Sequence, residues 1–322
     1  MTVRGAAILG VVSMLVPGAT AAAGERHALV VAGVAGSPAL AEIHRRWVGT
    51  FVSLLTGPLR VPSDRVVTLV DVPAGEPTSA TRDNVRAALA VMRQRLGSDD
   101  LLLVLLVGHG TFDGIDAKFN LVGPDLEAGD WRQLLDGIQG HLIVVNTAGA
   151  SFPFLRRLAG PRRVVITATD SPAQTYDTVF PQFFVEAFSE PESDLDKDGR
   201  LSIGEAFSFA SRQTRRWYEQ QGRLPTERAL LDDTGDGVGK EAGVPGPDGA
   251  LASRLFLDAG PDAQLSADPA LSELIARRDA LETAIEELKR KRAFMPADDY
   301  ARDLERLLVD LARVSRRIRP RS

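Results

Sequence analysis

From Leu101 to Val107 the chain reads LLLVLLV, and it turns polar at Gly108-His109-Gly110-Thr111-Phe112-Asp113-Gly114. An apolar run of that length, closed by turn residues, predicts a strand buried on both faces. The same texture recurs at His27–Gly33 (HALVVAG), His141–Asn146 (HLIVVN) and Arg163–Ala168 (RVVITA), with a further strand over Arg65–Val72. Between these runs the period changes. Leu40, Ile43, Trp47, Phe51, Leu54 and Leu55 fall on one face of a helix, as do Val85, Leu89, Met92 and Leu96 behind an N-cap at Thr81. Strands alternating with helices predict βαβ units, a mostly parallel sheet and an α/β fold.

The pattern shifts twice more. From Asp268-Pro269, a helix start, Leu274, Leu281, Ile285 and Leu288 are spaced like heptads. Ala293–Ala297 (AFMPA) interrupts them, and Tyr300, Leu304, Leu308, Leu311 and Ile318 resume the pattern. Residues 268–322 therefore read as an antiparallel, coiled-coil-like helical hairpin. It either packs on its own domain or mediates self-association or partner binding, and the sequence leaves both open. At the other end, Arg4, an apolar run from Ala6 to Val16, Pro17 and the Ala21-Ala22-Ala23 stretch have the order of a secretory signal peptide. The expected division is a signal peptide over 1–23, an α/β domain over 24–262 and the hairpin over 268–322. The expected location is periplasmic or secreted.

Composition narrows the chemistry. The chain has 322 residues, a net charge of −5 and no cysteine. The charge gives no bulk electrostatic case for nucleic acid, and no membrane span is expected in the mature chain. The missing cysteine removes disulfides, thiolate metal sites and any thiol nucleophile.

His109 stands between two glycines at the carboxyl end of a strand, where α/β folds place their ligands. The next predicted strand ends Val144-Val145-Asn146-Thr147-Ala148-Gly149-Ala150-Ser151-Phe152. This pair of strand ends resembles the caspase/legumain clan of cysteine peptidases, as does the Thr81-Arg82-Asp83-Asn84 helix start. The resemblance covers roughly residues 26–240. It implies a caspase-like three-layer sandwich, with His109 at the family's histidine position and Ala148 at its nucleophile position. Asn146 takes the family's acidic place. It also implies a specificity cleft beside the loops Ala35–Arg46 and Thr167–Tyr176. A methyl group has no lone pair to attack a carbonyl. Ser151 is the alternative nucleophile, and it lies three residues beyond the matching position.

Asp194-Leu195-Asp196-Lys197-Asp198-Gly199-Arg200-Leu201-Ser202-Ile203-Gly204-Glu205 matches the twelve-residue EF-hand loop. Asp194, Asp196 and Asp198 offer carboxylates at positions one, three and five. Gly199 permits the turn, Arg200 offers its carbonyl, Ser202 can hold a ligand water and Glu205 can chelate. Calcium is the expected cofactor. Pro191 just before the loop suggests a solitary calcium loop rather than a paired sensor hand. Asp232-Asp233-Thr234-Gly235-Asp236-Gly237 imitates a second loop, but Gly243 stands where the closing glutamate is needed, so it reads as a turn.

The leading expectation is an exported, non-catalytic member of the clan. It would bind calcium and act as a peptide-binding or scaffold protein, with a peptide or protein ligand in the cleft. Two alternatives stand beside it: a hydrolase using His109 with a serine or threonine, and a structural subunit organised by the hairpin.

Overall fold

In this computed structural model the described residues are 24–258, 295–318 and isolated positions from 274 to 292. The expected signal peptide lies outside the described residues, as does most of the first hairpin helix.

A six-stranded sheet forms the middle layer. Its strands are β1 (Arg26–Ala32), β2 (Val66–Leu69), β3 (Leu101–Val107), β7 (His141–Asn146), β8 (Arg163–Thr167) and β9 (Leu230–Asp232), in the order β2-β1-β3-β7-β8-β9. All neighbours pair in parallel except β8 and β9. Three short strands, β4 (Gly110–Phe112), β5 (Ala117–Phe119) and β6 (Leu126–Glu127), form a separate antiparallel sheet.

The apolar runs are buried on both faces because helices cover both. Leu101, Leu103, Leu105 and Val107 of β3 pack with α1 (Pro38–Thr56), α5 (Phe180–Glu186) and α6 (Ile203–Gln220). Leu102, Val104 and Leu106 face α2 (Arg82–Arg95), α3 (Ala128–Leu135) and α4 (Phe152–Leu158). The result is the expected three-layer α/β sandwich with a mostly parallel sheet. Every residue of β3 is buried, which requires apolar side chains of both parities.

Local signals set the helix ends. Ser37 and Thr81 accept hydrogen bonds from the backbone N–H groups of Leu40 and Asn84 at the starts of α1 and α2. A further helix, α7 (Ala297–Ile318), lies within the segment expected to form the hairpin. No helix among the described residues is long and apolar enough to cross a membrane.

Candidate functional site

The parallel pairing of β3 with β7 sets their carboxyl ends side by side, which brings His109 and Ala148 into one region. A Cβ added at Gly110 would lie 3.4 Å from the Ala148 Cβ and only 2.3 Å from the Gly149 carbonyl oxygen. Glycine is therefore required at position 110 so that the two strand ends can meet.

His109 is part-buried and held at both nitrogens. Nε2 lies 2.6 Å from the Ala35 carbonyl oxygen, and Nδ1 lies 3.0 Å from Asp177 Oδ1. Both partners are oxygen acceptors, so each ring nitrogen faces an oxygen. A second imidazole, that of His44 on α1, stands 6.3 Å away between ring centres. Burial, and secondarily the nearness of His109, push the His44 pKa down to about 4. His44 thus sits as a neutral ring against Trp47, with Nδ1 buried and unpartnered.

Ala148 is fully buried. The loop from Ser171 to Thr178 closes over its turn. The Ala150 N–H donates to the Gln174 carbonyl at 2.5 Å, the Thr178 hydroxyl donates to the Thr147 carbonyl, and a Cβ at Gly149 would strike the Tyr176 carbonyl oxygen. Asn146 fixes the turn from within by accepting the Ala148 N–H at 3.1 Å. Ser151 is also buried. Its hydroxyl pairs with Thr169 Oγ1 at 3.1 Å and accepts the Thr169 N–H at 3.3 Å. The structure thus brings His109 and Ala148 to neighbouring strand ends and commits Ser151 to Thr169.

The carboxylate loop lies elsewhere, ahead of α6. Asp194, Asp196 and Asp198 converge, each placing a carboxylate oxygen within 4.8 Å of the others. Gly199 has φ +88 with open space around it, so the requirement for glycine there is conformational. Glu205 folds back over the loop. Its Oε1 accepts the N–H groups of Leu195 and Asp196, and its Oε2 accepts the N–H and hydroxyl of Ser202. Ser202 and Glu205 also form the capping box that starts α6. The Arg200 side chain turns away to a two-pronged contact with Asp258 and stacks on Phe256.

The electrostatics of the loop are those of crowded anions. Burial and the neighbouring carboxylates push the Asp196 pKa up to about 6, and burial raises that of Asp198. Asp194 Oδ1 is buried without a hydrogen-bond partner. A hard cation with oxygen ligands fits this donor set, because it would occupy the orphaned oxygen and offset the repulsion. The Asp232 stretch behaves as the turn read from the sequence. Asp232 accepts the N–H groups of Thr234, Gly235 and Gly237, and Asp233 accepts those of Gly249, Leu251 and Ala252.

Sequence reasoning missed His44 and Asp177. His44 sits between Leu40 and Val48 on the helical period of α1, where it reads as one more core position. Asp177 lies in an irregular loop with no motif around it.

No protein-family profile matches the chain, and no curated protein matches it. Solved structures that superimpose on it include protein GSU0716 from Geobacter sulfurreducens, at 14% identity and a TM-score of 0.43, covering 73% of this chain and 98% of that one. Caspase-1 from Spodoptera frugiperda superimposes at 9% identity and a TM-score of 0.40, covering 66% and 87%. The caspase drICE does so at 12% identity and a TM-score of 0.39, covering 65% and 87%.

Proposed function

We propose that this chain is a non-catalytic, calcium-binding scaffold protein built on a caspase-type sandwich. The observation that carries the reading is the convergence of the Asp194, Asp196 and Asp198 carboxylates beside the Glu205 capping box. Asp194, Asp196, Asp198 and Glu205 would hold calcium through carboxylate oxygens, Arg200 through its carbonyl and Ser202 through a water. Bound calcium would offset part of the repulsion in the loop and tie it to the first turn of α6. Three features of the other region support the non-catalytic part: the methyl group of Ala148, the closed turn around it and the two acceptors on His109. Export through residues 1–23 belongs to the same proposal, because extracellular calcium modules work at about 10⁻⁴–10⁻³ M. Partner binding would then fall to the exposed surface and the 268–322 hairpin rather than to a peptide cleft.

The test is thermal unfolding in chelator against about 10 mM calcium. At the affinities just given, the stabilisation is about 1.4–2.7 kcal/mol, a rise in midpoint of roughly 3–10 °C. An unchanged midpoint, with no heat of binding by calorimetry, would remove calcium from the proposal.

A further inference from the structure

The far end of the sheet carries a second cluster that the calcium loop and the His109 region leave unused. Glu25 leads into β1, His27 is its second residue, and Asp100 immediately precedes β3. One ligand atom from each lies within 4.8 Å of the others. His27 is 4% exposed, and its Nε2 is buried with no hydrogen-bond partner. The nearest carboxylate oxygen, Glu25 Oε2, is 3.7 Å from it. That is too long for a hydrogen bond. It is close to the roughly 3.4 Å that separates two ligands of one tetrahedral ion bound at about 2.0–2.1 Å.

We propose that Glu25, His27 and Asp100 form a metal site for a zinc-class divalent cation, with a structural role. An imidazole nitrogen with two carboxylates suits a borderline ion and disfavours calcium, which takes oxygen ligands.

The surroundings fit this assignment. Arg65 occupies Oε1 of Glu25 and so leaves Oε2 directed at His27. Asp100 accepts the Glu25 N–H through Oδ1 and the Gly97 N–H through Oδ2. These contacts orient the carboxylate, and each oxygen keeps a further lone pair. Burial and the Arg65 guanidinium hold the His27 pKa below its ordinary value, which keeps the ring in its neutral, ligating form. A cavity of about 290 Å³ lined by His27, Arg65, Val67, Asn84, Met92 and Arg95 opens beside the imidazole, with room for the waters that complete the coordination. The ion would join the starts of β1 and β3, whose pairing begins at Arg26 and Leu101. It would lie at the opposite end of the sheet from His109. The proposal is independent of the calcium loop.

The experiment is calorimetric titration of the chelator-stripped full chain with zinc in saturating calcium, with cobalt absorption as a second readout. One zinc per chain is expected, with a tetrahedral-type cobalt spectrum. Glu25→Gln, at a half-exposed position, should weaken zinc at least about tenfold, the scale seen even for outer-shell changes. His27→Gln should do the same, while Asp196→Asn should leave zinc affinity unchanged. Circular dichroism establishes that each variant is folded, and if His27→Gln fails to fold, Glu25→Gln decides. A folded wild type that takes up no zinc, or zinc binding that is unchanged in folded Glu25→Gln, overturns the site.

Discussion

At Asp196, burial and the charges of Asp198, Glu205 and Asp194 favour the protonated carboxyl in the folded chain, with a pKa of about 6. The unfolded chain has the ordinary value of 3.8. The folded state therefore holds this proton more tightly, and its contribution to stability is fully present at acid pH. It is lost as pH rises from about 4 to about 6 and stays lost above that. Asp196→Asn removes the repulsion. In chelator at pH 7 it should raise the midpoint by about 1–3 °C over wild type, a gain that vanishes near pH 4. The same variant should lose the calcium-induced rise. A gain of equal size at both pH values would count against the carboxylate cage. Ala148 offers a second test at this scale. Ala148→Cys supplies the thiol found at this position in the clan that the sequence resembles, but the closed turn leaves it little room for a substrate. No cleavage is expected across a peptide library, and cleavage would return the region to catalysis.

Among the elements, α6 links the loop to the core. Its first turn is fixed by Ser202, which accepts the Glu205 N–H at 3.2 Å and donates to Glu205 Oε2 at 2.8 Å. Its apolar face, with Phe207, Phe209 and Ala210, packs into the core on the α1 side of the sheet. Ser202→Ala should destabilise the protein by about 1 kcal/mol, the usual value of a lost N-cap. Urea unfolding would measure this as a lower midpoint at unchanged slope. The loss should be larger with calcium than without, because the hydroxyl would also hold a ligand water. An equal loss in both conditions would limit Ser202 to capping.

Over the whole molecule, the two apolar layers share one sheet, so stabilisation on one face should be felt on the other. Trp131 is fully buried on the side of α2 and α3, against Phe119, whereas the carboxylate loop feeds α6 on the opposite side. In a Trp47→Phe, Trp217→Phe background, calcium should raise the unfolding midpoint seen by Trp131 fluorescence as much as that seen by helix dichroism. Separate midpoints would mean that the two layers unfold as separate units.

Much of this was legible in the linear sequence, because the signals were local. The runs at Leu101–Val107 and His141–Asn146 had no polar residue to place outward within their spans except at the ends, so they became central strands. Thr81 is a capping residue by chemistry, and the spacing of Asp194, Asp196, Asp198 and Glu205 is set within one loop. The short strands β4–β6 and the antiparallel β9 gave no comparable signal, since two or three residues carry no period.

His109 and Ala148 were paired on the sequence through their strand ends and the resemblance to the clan, and the β3–β7 register sets those strand ends side by side. What the sequence withheld depends on chain segments far apart. Asp177 and the Ala35 carbonyl reach His109 from two different loops, and residues 171–178 close over Ala148. Glu25, His27 and Asp100 meet because β1 and β3 begin side by side. Periodicity, capping and ligand spacing are properties of neighbouring residues, so the sequence by itself determined the strands, the helix starts and the carboxylate loop. Which side chains occupy one volume, and which backbone covers them, is fixed by the packing of the sheet and its loops, and only the tertiary structure decided that.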